Sequence, residues 1–273
     1  MTKKLVKKYY TEHGTEEWKR LIKNPHNQLE FDTTIHFIKK YFPKKGLILD
    51  AGGGPGRYTI DLAKQGYDVV LLDLTPELLQ IAKRKIKKEK VQDKVKNIIE
   101  GSIHDLSMFS DNTFDSVICL GGTLSHLVDK RQREKAINEL IRVAKKDAPI
   151  FVSVIGKLAV LTSELVNFPE EMENERIFKK VRDTGDYYGD YGFTACHFYL
   201  PEELKKSFEI KKEIKVLEMV GLEGLSSGHQ KETNKLFEKY PKAWKIWKET
   251  LLKTCTHQSV VGISDHFLII CKK

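Results

Sequence analysis

Short apolar runs alternate through the middle of the chain with longer segments whose apolar residues recur every three or four positions. Leu47–Asp50, Asp68–Asp73, Val95–Glu100, Phe114–Leu120 and Pro149–Ile155 predict strands. Between them, Arg57–Lys64 predicts a helix stopped at Gly66. Thr75-Pro76-Glu77 sets a capping residue before a proline at the first helical position, opening a helix that buries Leu78, Ala82 and Ile86. A further helix over Arg131–Ala144 turns Ile137, Leu140, Ile141 and Ala144 to one side. Strand and helix in alternation predict an α/β fold with a parallel sheet and crossover helices.

Residues 1–45 predict a helical preface. Thr15 is placed to cap a helix through Trp18, Leu21 and Ile22, ended by Asn24-Pro25. Asn27 with Glu30 has the spacing of a capping box ahead of a stripe at Phe31, Ile35, Ile38 and Phe42. Beyond Gly156 the pattern loosens. Helices are predicted near Leu158–Val166 and Pro201–Phe208, a half-buried strand over Ile214–Val220 and a last buried strand over Phe267–Cys271. The organisation expected is a single domain, 1–273: a preface or lid (1–45), a core (46–156) and insertions at 157–200 and 226–258 that form a substrate cap.

With 40% hydrophobic and 31% charged residues, the composition is that of a soluble globular chain. No apolar run nears the roughly 20 residues that cross a bilayer. The N-terminus is Lys-rich with no apolar segment behind it, so no membrane insertion and a cytoplasmic location are expected. Cys119, Cys196, Cys255 and Cys271 are scattered without metal-ligand spacing, which suits reduced thiols and no metal. The formal charge of +9 raises nucleic acid as a partner. Its densest stretch, Lys83–Lys96, instead has the pattern of a solvated helix face, with no interleaved aromatics for bases to stack on.

The chemistry concentrates at Leu47-Ile-Leu-Asp-Ala-Gly-Gly-Gly-Pro-Gly-Arg57, a strand turning abruptly into a helix. Glycines let a ligand lie against bare backbone, and the following helix aims free N–H groups at it. The dinucleotide spacing Gly-x-Gly-x-x-Gly fails in each register, ending at Arg57 or Thr59. The phosphate-cradling loop fails because Arg57-Tyr58 follows Gly56.

What fits is Asp50-x-Gly52-x-Gly54-x-Gly56, which resembles the first motif of the class I S-adenosylmethionine (SAM)-dependent methyltransferases. The resemblance extends to Asp73, a strand-end acid suited to both hydroxyls of a ribose, with Leu74 beside it for the adenine. It continues through Glu100-Gly101-Ser102-Ile103-His104-Asp105-Leu106, where Ser102 stands at the family's acidic position and Ile103 offers a backbone N–H to the adenine edge. Phe114-Asp115-Ser116-Val117-Ile118-Cys119-Leu120 matches the strand whose end, at Leu120, faces the transferring methyl. The run Gly53–Tyr58 is loosely similar to small-molecule methyltransferases of the quinone-biosynthesis type.

The resemblance implies a Rossmann-like, doubly wound, mostly parallel seven-stranded sheet with an antiparallel last strand. It implies SAM as cofactor, S-adenosyl-L-homocysteine as product, and cofactor contacts from Asp50, Gly52, Gly53, Gly54, Gly56, Asp73, Leu74, Ser102, Ile103 and Leu120. Tyr10 and Arg20 of the preface are added as a lid, Arg20 because a guanidinium fork matches the cofactor's carboxylate. His126 and His197 are the candidate bases, needed only for an acceptor protonated at working pH. Tyr9, His13, Trp18, Tyr187, Tyr188 and Tyr191 are candidates to line the acceptor pocket. The expected acceptor is a small molecule. RNA or protein acceptors and a non-catalytic SAM sensor or scaffold are the alternatives, with a monomer or homodimer as the assembly.

Overall fold

The computed structural model describes residues 2–273. A seven-stranded sheet runs in the order β3-β2-β1-β4-β5-β9-β8. Its strands are β1 (Leu47–Ala51), β2 (Asp68–Asp73), β3 (Val95–Glu100), β4 (Ser116–Cys119), β5 (Pro149–Ile155), β8 (Lys215–Gly221) and β9 (His266–Lys272). The strands β1 to β5 pair in parallel, and β9 runs antiparallel between β5 and β8. Two-residue strands β6 (Asp186–Tyr187) and β7 (Cys196–His197) form a separate ribbon. This is the Rossmann-like arrangement with a reversed last strand that the motifs imply.

The central strands are apolar on both faces because helices cover both faces. One layer holds α6 (Lys130–Val143) and α9 (Pro201–Glu209), which bury Ile137, Leu140, Leu204 and Phe208. The other holds α3 (Pro25–Tyr41), α4 (Arg57–Lys64) and α5 (Pro76–Lys88), which bury Phe37, Ile38, Leu62, Ala82 and Ile86. β3, at an edge, keeps Lys96, Asn97 and Glu100 exposed.

Local predictions fail at the caps. The helix α2 (Gly14–Arg20) starts before Thr15, with His13 at its N-cap and no side-chain cap bond. Asn24, rather than Asn27, caps α3: its Oδ1 accepts from Asn27 N at 2.9 Å. Glu30, freed from that role, turns inward to Arg20. Thr75 stands at the N-cap of α5 but contributes no side-chain bond; Asp73 Oδ1 accepts from Thr75 N at 2.8 Å instead. The fourth strand is shorter than predicted, since Phe114 pairs only as an isolated bridge with Ala144.

The preface seats on the core through α1 (Thr2–Glu12) and α2, both packed on α5. Gly14 approaches Leu78 and Ile81 closely enough that a Cβ would sit 3.2 and 3.0 Å from them. The Arg57 guanidinium lies 3.9 Å from the Trp18 ring centre and donates to Trp18 O at 2.6 Å, fastening α2 beside the glycine turn.

Candidate functional site

Where β1 ends, the chain enters left-handed backbone at Gly52 (φ 81°), Gly54 (φ 54°) and Gly56 (φ 83°). The turn is pinned from the neighbouring strand end: Gly52 N and Gly53 N donate to Leu72 O at 2.6 and 3.2 Å. A Cβ at Gly52 would strike Thr123, and one at Gly53 the Asp50 carboxylate. Gly52→Ala is therefore expected to cost about 1–3 kcal/mol for the backbone conformation alone, read as a thermal midpoint lowered by several degrees. Gly56 does not line the cavity. Its bare Cα faces Ala82 of α5, so it serves helix packing and not ligand approach.

The turn forms the floor of a cavity lined also by Asp50, Asp73, Leu74, Gly101, Ser102, Ile103, Leu120, Tyr10 and Arg20. Asp73 is buried and supports the turn, its Oδ2 accepting from Gly54 N at 2.8 Å. Burial, with Glu17 nearby, raises its carboxyl to about 6 despite the bonds from Thr75 and Gly54. Asp50 is 1% exposed and accepts from Thr59 Oγ1 at 2.6 Å through Oδ2, while Oδ1 has no partner. Burial, against the Thr59 bond and with the Asp73 charge adding, raises it to about 7. A buried carboxylate with an empty oxygen fits a cationic ligand group. The Asp73 oxygens, each holding one backbone N–H, retain acceptor capacity for hydroxyls. Aliphatic Leu74 and Ile103 offer flat apolar walls. This donor set fits SAM.

Two cofactor assignments change. The Ser102 hydroxyl is engaged by His104 Nδ1 at 2.7 Å, so the side-chain contact expected of it has a prior partner within the cavity wall. Arg20 does not hold a free fork. Its Nη1 and Nη2 bond Glu30 at 2.5 and 3.3 Å, and its Nε bonds Glu17 at 2.9 Å.

A second cavity of about 740 Å³ adjoins the first. Tyr10, Glu17, Arg20 and Gly121 line both. Its far wall comes from the 157–200 insertion, through α7 (Lys157–Asn167), α8 (Glu175–Thr184) and the loop around Tyr191. Tyr9, Tyr187 and Tyr191 line it as expected of them, joined by Phe193 and Phe198. Tyr188 points outward beneath Lys180 Nζ, 4.0 Å from its ring centre. His13 stacks on Tyr9 at the surface, and Trp18 is committed to Arg57; neither lines a cavity. The 226–258 insertion contributes no lining residue. Its helices α10 (Gln230–Lys239) and α11 (Pro241–Thr254) pack on each other, and α10 packs on α3.

The candidate bases are both occupied. His126 Nδ1 faces Ala195 O at 3.1 Å, so that nitrogen carries the hydrogen, and Nε2 accepts from Tyr10 OH at 2.7 Å. Burial pushes its pKa down to about 4, which makes it a neutral latch for the lid and a weak base. His197 is 2% exposed, with Nδ1 at 2.6 Å from Asp186 and Nε2 at 2.8 Å from Glu203. It has no free nitrogen and lies outside both cavities.

Residues not anticipated as functional gather at the polar end of the second cavity. Ile155 of β5 pairs with His266 of β9, which brings Glu223, Asp265 and His266 to the carboxyl edge of the parallel strands. Glu223 accepts from His266 N at 2.8 Å and from His266 Nδ1 at 2.9 Å. Glu30 lies 3.8 Å from the same nitrogen. These two carboxylates outweigh burial and raise His266 to about 9. The ligand atoms of Glu30, Glu223 and His266 lie within 4.8 Å of one another, and the His266 Nδ1 hydrogen is directed at Glu223. The available signal was Ser264-Asp265-His266, charged residues placed just before an apolar strand.

The parallel sheet with its reversed strand, the glycine turn and the strand-end carboxylate define a Rossmann-like nucleoside-binding fold of the methyltransferase class. Residues 48–147 match a family described as a methyltransferase domain. A glycine/sarcosine N-methyltransferase of Parasynechococcus marenigrum is 33% identical over 137 residues, covering 50% of this chain and 47% of that protein. An uncharacterised protein of Methanocaldococcus jannaschii is 29% identical over 212 residues, covering 75% and 83%. Among solved structures, a SAM-dependent methyltransferase of Methanosarcina mazei shares the fold, with a TM-score of 0.58 at 19% identity over 87% of this chain and 96% of that one. Residues 48–147 thus carry a methyltransferase domain, and the sheet around them has the fold of SAM-dependent methyltransferases, which implies SAM as cofactor. The match spans about half the length of the glycine/sarcosine relatives. Among the described residues, no helix is long and apolar enough to cross a membrane.

Proposed function

We propose that the chain transfers the methyl group of SAM to an O, N, S or C atom of a small molecule held in the second cavity. The observation that carries this is the shared wall: Tyr10, Glu17, Arg20 and Gly121 close the glycine-turn cavity and open the other, just beyond the end of β4. When bound, SAM supplies a methyl group on a sulfonium, already activated toward a nucleophile. The chain's own work is then to align two ligands and exclude water. In this reading Asp73 takes the ribose hydroxyls, Asp50 Oδ1 an ammonium group, and Leu74 and Ile103 the adenine. Tyr10, held by His126, closes the lid. His126 has no role as a base.

A recessed cavity with aromatic walls favours a small acceptor over RNA or protein, and the lysines of α5 lie away from it. Calorimetry with SAM, followed by mass spectrometry of a metabolite panel incubated with labelled SAM, tests the reading. Labelled small-molecule product is expected. SAM binding with no product from any panel member would identify a sensor or scaffold, and salt-sensitive labelling of RNA would move the acceptor to nucleic acid.

A further inference from the structure

The second cavity is unusually acidic. Glu17, Glu30, Glu164, Glu171, Glu223 and Asp265 line it, and among the described residues Arg20 is the only lysine or arginine that lines it with them. Arg20 is spent on Glu17 and Glu30, and His266 on Glu223 and Glu30. His26 Nε2 donates to Ser226 O at 3.0 Å, leaving Asp265 at 3.8 Å from that ring. Glu164 and Glu171 have no salt-bridge partner among the described residues. Burial and neighbouring acids hold both carboxyls above the usual range, and Asp265 rises to about 6 for the same reasons. Three carboxylates thus face the cavity without a cation.

Around them stand aromatic rings, including Tyr9, Phe168, Phe178, Tyr187, Phe193 and Phe198. Their faces carry negative quadrupole charge and suit an apolar body next to a cationic head. A free carboxylate on the ligand would meet three carboxylates that lack a cation and find Arg20 already committed, a penalty that builds discrimination against it.

From this arrangement we infer that the acceptor is an organic amine with an apolar or aromatic body and no carboxylate. The inference rests on the proposed function and narrows it. It also departs from the glycine and sarcosine of the curated relatives, which are zwitterions. The bound ammonium first gives a proton to a cavity carboxylate that lacks a cation, Glu164 or Glu171; the freed lone pair forms the new N–C bond, the C–S bonding pair returns to sulfur, and the product leaves as a methylated ammonium. Positive charge therefore moves from sulfur to nitrogen, into the carboxylate-lined space, which favours the transition state over the ground state.

The test uses the full chain with S-adenosylhomocysteine bound and two isosteric trios: 2-phenylethylamine, 2-phenylethanol and phenylalanine, then hexylamine, hexanol and 6-aminohexanoate. Calorimetry with SAM comes first; a chain that does not bind SAM loses the reading beneath this one. Given SAM binding, each amine is expected to bind at least tenfold tighter than its alcohol or its amino acid, and to accept labelled methyl from SAM. The Glu164→Gln/Glu171→Gln variant, altered at half-buried positions away from the donor cavity, is expected to weaken amine binding at least fivefold with SAM affinity and melting temperature retained. Alcohol or amino acid binding as tightly as the amine, an unchanged amine affinity in the variant, or no amine binding in a SAM-competent protein would overturn the inference.

Discussion

Asp73→Ala is expected to lower SAM affinity at least 100-fold. The substitution removes both acceptors that the ribose hydroxyls would use, and hydrogen bonds to a charged group contribute about 1.5–3 kcal/mol each. It also releases Gly54 N and Thr75 N, bonded to the carboxylate at 2.8 Å each, and so loosens the glycine turn and the start of α5 together. Asp73→Asn separates these effects. One amide oxygen can still hold one backbone N–H, so fold stability should recover more than affinity does. Calorimetric titration of both variants, with thermal melts, checks this; wild-type affinity in Asp73→Ala would remove Asp73 from the cofactor site.

SAM binding should strengthen as pH rises from about 5.5 to 7.5, with Asp50 as the main cause. Its carboxyl is raised from the ordinary 3.8 to about 7 in the folded chain. Between those values the folded state keeps a proton that the unfolded chain has released. Stability of the free protein therefore falls as pH rises through that window and stays lower above it. At about 1.4 kcal/mol per unit the span is on the order of 4 kcal/mol. A cationic ligand group at Oδ1 favours the ionised form, so binding near pH 6.5 releases protons, detectable as a dependence of calorimetric enthalpy on the buffer.

Asp50→Asn keeps the shape and removes the charge. It should raise the melting temperature of the free protein above pH 7, weaken SAM binding tenfold or more and flatten the pH dependence nearest neutrality. Asp73, raised to about 6, keeps the portion below that. A free protein whose stability does not change from pH 5 to 8 would contradict the assignment.

Most of the donor half was legible before any coordinates. Gly52 to Gly54, Asp50 and Asp73 are close in sequence to the strands that carry them, so the turn was legible there and its resemblance to the class I methyltransferase motif proposed these residues for the donor site. The same locality explains the failures at caps. Asn24 and Asn27 are both competent to cap α3, and Pro25 at the first helical position sets Asn24 as the cap, which leaves Glu30 to pair with Arg20. Gly56 shows the limit inside the motif itself: its glycine answers to Ala82 on another helix.

The acceptor half depends on long-range contacts. His197, a candidate base in the sequence, is clamped between Asp186 and Glu203 in the fold. Tyr187 and Tyr188 are neighbours, yet backbone direction sends one into the cavity and the other to solvent. Glu30, Glu223 and His266 come from three distant segments, and only the antiparallel insertion of β9 beside β5 sets them together. The chain's hydrophobic period thus determined the sheet, and its glycine turn and strand-end acids, through their resemblance to the class I methyltransferase motifs, pointed to the methyl donor, because each is fixed by interactions over a few residues. The tertiary structure decided the acceptor space and its charge, because the net field in a cavity is a sum over side chains that only the completed sheet brings within reach of one another.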